Sequence, residues 1–180
     1  MQNYLNLYCH KTIMRTLEQT VDHSTIPKNY EHLEPEQQTL IDRLENFQAP
    51  YVEEKLLNEG MFDSPEKYQE AFNEFKKYIV LVQLSGKKLA MTSKAVDAVW
   101  HQFILFTQEY HDFCNKFLGS YLHHRPNTSF TPLHPDGRKY LQEAYTEMYG
   151  NIPAIWNLSA DCDGTASGSC GPSCTCNPAG

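Results

Sequence analysis

The chain has 180 residues and a formal charge of −7, with 22 acidic against 15 basic side chains. That length can bury one sizeable core, and 41% apolar content fits a folded globular chain rather than a disordered one. The acidic balance argues against a nucleic-acid partner, since phosphate backbones are met by basic surfaces. The longest apolar run, Tyr78 to Val82, is too short to span a bilayer, so no membrane partner is expected.

The first residues lack a positive region followed by a long apolar one, so they do not read as a secretory signal and a cytoplasmic location is expected. The six cysteines then read as thiols or metal ligands rather than disulfides. Leu5, Leu7, Ile13, Met14, Leu17 and Val21 hint at a short amphipathic helix, and Ser24 to Lys28 reads as a loop. Glu34-Pro35-Glu36 starts a helix whose buried stripe is Leu40, Ile41 and Leu44. Ala49-Pro50 breaks it and starts another, with Tyr51, Val52, Leu56 and Leu57 inward and Gly60 at its end. Asp63-Ser64-Pro65-Glu66 is a strong helix start: a capping oxygen, proline in the first turn and acid at the positive end. That helix buries Tyr68, Ala71, Phe72, Phe75, Ile79 and Val82 and stops near Ser85-Gly86. Lys76, Lys77, Lys87 and Lys88 read as solvated helix-end residues.

The stretch from Met91 to Pro126 is the densest in aromatic and metal-competent side chains. It reads as one long helix capped by Thr92 or Ser93, stopped at Gly119 and followed by a loop with paired histidines. Helical projection puts Val96, Trp100, Phe103, Thr107, Tyr110, Cys114 and Phe117 on a core face. Asp97, His101, Gln108, His111 and Asp112 share the other face. Asp97 and His101 are four apart and meet on one surface; such a pair is either an ordinary exposed helix contact or part of a metal site. His123 and His124 follow Gly119 closely enough to fold back beside the helix, and adjacent side chains diverge, so at most one joins a given site. The alternative for either is a histidine hydrogen-bonded to a backbone carbonyl at a helix end.

The run V-D-A-V-W-H-Q-F-I-L-F-T-Q-E-Y-H-D-F-C, then F-L-G-S-Y-L-H-H-R-P, resembles the glycine-rich domain-containing protein-like family. That family's helical module carries V-D-x-x-W-H, then T-x-x-Y, then G-x-x-x-H-H. The matching positions are Val96, Asp97, Trp100, His101, Thr107, Tyr110, Gly119, His123 and His124, with Cys114 between them, over about residues 89–126. The resemblance supplies little chemistry. Larger plant members have been linked to RNA-related and developmental roles, but this chain has no further RNA-binding module. Gly- and Cys-rich tails look like a feature of some bacterial relatives.

Beyond Pro126 an irregular loop carries His134 between Pro132 and Pro135, a reserve ligand. Asp136 is placed to cap a last helix with Tyr140, Leu141, Ala144, Tyr145 and Met148, ended by Gly150, and Ile152 to Trp156 reads as an extended strap. From Ser159 the large apolar residues vanish. Cys162, Cys170, Cys174 and Cys176 are the only tie available to such a tail, and four thiolates can enclose zinc or hold Cu(I); otherwise the tail is flexible with idle thiols. No period-two alternation and no fixed repeat occurs. The predicted fold is all-α: one globular domain of about five to seven helices over 1–158 and a cysteine-rich tail over 159–180.

No phosphate-binding glycine loop, zinc-protease H-E-x-x-H or G-x-S-x-G elbow is present. Two functions remain. One is a cytoplasmic protein binding a divalent metal, zinc foremost, through Asp97, His101 and one of His123 and His124, able to act on water or oxygen. The other is a non-enzymatic interaction module whose cysteine tail binds metal or a protein or small-molecule partner.

Overall fold

The computed structural model describes residues 24–125, 128–130 and 132–158. The expected amphipathic segment around Leu5 to Val21 and the cysteine tail lie outside them. Six α-helices follow in order: α1 Pro35–Glu45, α2 Pro50–Asn58, α3 Pro65–Ser85, α4 Lys94–Leu105, α5 Thr107–Phe113 and α6 Gly137–Tyr149. The fold is all-α, with no strand element among the described residues.

Three of the six starts are set by proline in the first turn, where its fixed φ suits the helix and its missing N–H costs nothing. A capping box between Glu34 and Gln37 closes the start of α1. The Ser64 hydroxyl accepts from the Lys67 N–H at 3.4 Å, and the Ser93 hydroxyl from the Val96 N–H at 3.3 Å. Thr92, the other candidate cap of α4, instead donates its hydroxyl to the Trp156 carbonyl at 2.7 Å. Gly86, at φ +62°, ends α3 in the left-handed conformation open to glycine.

Helix α3 is the axle, packed against α1, α2, α4 and α6. Its residues from Ala71 to Val80 are all buried, polar ones included. Lys76 and Lys77, expected in solvent, are 3% and 4% exposed, because neighbours on every side leave this middle stretch of α3 no wet face. Buried polar groups must then be paired, and these are. Lys76 Nζ donates to the Glu45 carbonyl at 3.1 Å, and Lys77 Nζ to Glu74 Oε1 at 2.9 Å. Glu74 Oε2 accepts from the Tyr145 hydroxyl at 2.7 Å and from Trp156 Nε1 at 2.6 Å. One carboxylate thus joins α3 to α6 and to the segment beyond it. That segment, expected as an extended strap, forms a 3-10 turn, Ala154–Trp156, with the indole fully buried.

Helices α3 and α4 run antiparallel. Tyr78 meets Trp100 at 5.7 Å between ring centroids while Phe75 meets Phe103 at 6.2 Å, so one numbering falls as the other rises. The stretch expected as one long helix is broken at Phe106 (φ −83°, ψ 69°), and α5 ends in a π-helical turn, Cys114–Leu118. No proline or glycine sits at the break; tertiary contacts make it. Phe106 packs on Tyr51 at 4.9 Å, and Trp100 Nε1 donates to the Tyr110 hydroxyl at 2.9 Å. In an unbroken helix residues ten apart lie about 15 Å apart along the axis, too far for such a bond. The break also turns Phe113 onto Phe47 and Phe103, at 4.8 and 5.2 Å. Thr107, expected on the core face, is exposed as a result, whereas Cys114 is buried as expected.

Candidate metal centre

Asp97 and His101 stand one turn apart on α4, and His124 comes back to them from the loop after Gly119, which has φ +71°. His124 Nε2 lies 2.8 Å from Asp97 Oδ1, and His101 Nε2 lies 3.8 Å from Asp97 Oδ2. The two imidazoles face each other with centroids 4.4 Å apart and planes at 68°. One nitrogen from each ring and one carboxylate oxygen fall within 4.8 Å of one another. Ligand bonds of about 2.0–2.1 Å around a tetrahedral ion put ligand atoms roughly 3.3–3.4 Å apart. The observed contacts, 2.8 and 3.8 Å to different carboxylate oxygens and up to 4.8 Å across the group, reach that spacing with side-chain adjustments of up to about 1.5 Å.

The loop is positioned by a relay across the break. Trp100 donates to the Tyr110 hydroxyl, and that hydroxyl donates to the Leu122 carbonyl at 2.5 Å. The carbonyl is held two residues before His124, whose ring then stands edge-on to Trp100 at 4.4 Å. Burial holds the Tyr110 phenol well above its ordinary pKa, so it stays a donor. Exposure grades across the group: the side chains of His124, Asp97 and His101 are 12%, 32% and 53% exposed. Its inner edge is therefore fixed by packing and its outer edge faces solvent.

That outer edge opens on a cleft of about 880 Å³ between the segment Lys87–Met91, α4, and the loops at Leu122–Arg125 and Pro132–Pro135. Tyr78 closes its inner end, donating to the Leu89 carbonyl at 3.2 Å, and burial raises its phenol pKa, with the Asp97 charge adding to the effect. Asp136 occupies the N-cap position of α6 but makes no capping bond with its side chain, contrary to expectation. The start of α6 is set from the backbone instead: the Ala90 N–H donates to the Gly137 carbonyl at 3.0 Å. A Cβ at Gly137 would come within 3.2 Å of the Lys88 carbonyl and of Ala90, so glycine permits this close seam beside the cleft.

Of the expected ligands, then, Asp97, His101 and His124 converge. His123 does not join them; its ring packs on Tyr121 at 4.8 Å, as the divergence of adjacent side chains requires. His134 lines the cleft, and its Nδ1 accepts the Asp136 N–H at 3.2 Å. Cys162, Cys170, Cys174 and Cys176 lie outside the described residues. Sequence reasoning missed the positioning role of Trp100 and Tyr110, which no local spacing signals because their bond depends on the break. It also set aside Lys87 and Lys88, which line the cleft with Arg125.

No curated protein and no solved structure matches the chain. A family model described as UCP032817-like matches residues 36–148, which runs from the first turn of α1 to the end of α6 and takes in all three converging side chains; the chain belongs to that family.

Proposed function

We propose that this protein binds a divalent metal ion through Asp97, His101 and His124 and leaves coordination positions open towards the cleft. The convergence of three ligand atoms within 4.8 Å on a carboxylate and two imidazoles carries the reading. Two nitrogens and one oxygen suit zinc and other divalent first-row ions better than magnesium or calcium, which take oxygen. Three protein ligands with an open side are the arrangement of ions that polarise a bound ligand or activate water, whereas structural zinc sites are closed by four. The likeness to the glycine-rich domain-containing protein-like family supports the reading only through its motif positions, among which all three ligands and both relay residues fall. No helix among the described residues is long and apolar enough to cross a membrane, in keeping with a cytoplasmic setting.

Elemental analysis of purified protein, whole and lacking residues 159–180, tests the reading. One equivalent of metal is expected in both forms, with a second in the whole chain if the tail thiols also bind. Metal lost on truncation but retained in His124→Ala would transfer the function to the tail and sink this site.

A further inference from the structure

We propose that the cleft takes a small organic phosphate monoester, its phosphoryl oxygens on the ion and on Lys88 and Arg125 and its apolar body along Leu89 and Leu133. This names the ligand class of the metal site and rests on that reading. The chain as a whole is acidic, with 22 carboxylate side chains to 15 cationic ones. The cleft inverts that balance: Lys87, Lys88 and Arg125 line it against a single carboxylate, Asp97, which is itself a metal ligand. Neither Lys88 nor Arg125 has an ion-pair partner among the described residues, and both are exposed. Lys87 pairs with Glu143 at 3.2 Å and its ammonium lies 5.1 Å from the Tyr140 ring centroid, so it leans towards α6 and leaves Lys88 and Arg125 as the cations free for the cleft.

A concave wall of one sign concentrates its field in the cleft, and a bound dication adds to it. The combination calls for a ligand with more than one negative charge and several acceptor oxygens. A phosphate monoester carries about −1.5 to −2 charges near neutral pH and three strong acceptors, enough to meet the ion and two cationic side chains together. A monocarboxylate has one charge and two oxygens. Arginine matches the phosphoryl group with a planar fork and lysine with a mobile point charge. His123 and His134 also line the cleft, but most of the remaining lining, Val82, Leu89, Met91, Pro132 and Leu133 among it, is apolar, and about 880 Å³ is in the range of small-molecule sites. Inorganic phosphate would leave that lining uncovered.

The test is titration calorimetry on the whole chain, first with zinc and then with phenyl phosphate, benzoate and inorganic phosphate on the zinc-loaded protein. Phenyl phosphate is expected to bind at least tenfold more tightly than either of the other two, and only with zinc present. Lys88→Ala and Arg125→Ala should each weaken it roughly tenfold, the scale of a lost charge-assisted hydrogen bond, while zinc affinity stays within twofold. Failure of zinc itself to bind would overturn the metal reading and this inference with it. Zinc binding followed by equal affinity for benzoate, equal affinity for inorganic phosphate, or indifference to both substitutions would overturn this inference alone.

Discussion

His124 is the least exposed of the three converging side chains, and its ring is caught between Trp100 and His101 at 4.4 Å from each. It therefore has little freedom to lose when an ion arrives, whereas the half-exposed His101 must be ordered. His124→Ala should reduce metal affinity more than about 100-fold, since even residues that only orient a ligand are worth 10–100-fold. Asp97→Asn should act similarly, while His123→Ala should leave affinity unchanged. Equilibrium titration with a chromogenic zinc chelator reads all three, and equal losses at His123 and His124 would contradict the geometry. Tyr110→Phe belongs to the same scale and separates positioning from ligation. It removes the acceptor of Trp100 Nε1 and the donor to the Leu122 carbonyl in one step. A loss of about 1–3 kcal/mol in stability is expected from the stranded groups, together with roughly a 10–100-fold loss in metal affinity as the loop loosens. Denaturant titration and zinc titration of the same variant check both. A stability loss with full metal affinity would show that the relay does not place His124.

At the scale of elements, α3 carries its load through polar groups as well as apolar ones. Glu74 is 3% exposed and receives bonds from Lys77, Tyr145 and Trp156. Removing one partner of a buried ion pair costs about 3–5 kcal/mol because the other charge stays in a medium that solvates it poorly. Glu74→Leu should fall in that range by denaturant unfolding, and Glu74→Leu with Lys77→Met should recover much of the loss. A double variant as unstable as the single one would mean that the carboxylate acts through Tyr145 and Trp156 rather than through the ammonium. This burial also marks where the amino-acid pattern stops being informative. Pro35, Pro50 and Pro65 announce their helices and Gly86 and Gly119 end theirs, because those residues act through local backbone geometry alone. Asp97 and His101 were legible for the same reason: four residues on a helix is a fixed distance. Lys76 and Lys77 misled because a lysine looks solvated until the elements around it are counted. The break at Phe106 was invisible because it is imposed by Tyr51 and Tyr110 from elsewhere in the chain. The choice of His124 over His123 depended on that break, so it too lay beyond local pattern.

Across the whole molecule, tyrosines in and against the core set how stability should vary with pH. Burial is the main force raising the phenol pKa of Tyr68, Tyr78, Tyr110, Tyr145 and Tyr149, with the charge of Glu74 adding to the last two. A group whose folded pKa lies above its unfolded value contributes fully below the unfolded value and loses that contribution as pH rises through it. The unfolded phenol titrates at about 10, and each pH unit beyond that is worth up to about 1.4 kcal/mol per tyrosine. Five such groups acting together can remove a typical net stability of about 5–15 kcal/mol within roughly two units. Lys76 runs in the opposite direction, since burial lowers its pKa, but its contribution stops growing once unfolded lysine deprotonates at about 10.4. It therefore cannot offset the tyrosines above that point. The melting temperature should hold steady between about pH 7 and 9, fall steeply above about pH 10, and reach cooperative unfolding near pH 12. Absorbance at the phenolate band followed with far-ultraviolet circular dichroism tests the cause. A subset of tyrosines should ionise only as helicity is lost, and ionisation of all of them near pH 10 with the helices intact would show that the phenols are not buried in a closed core.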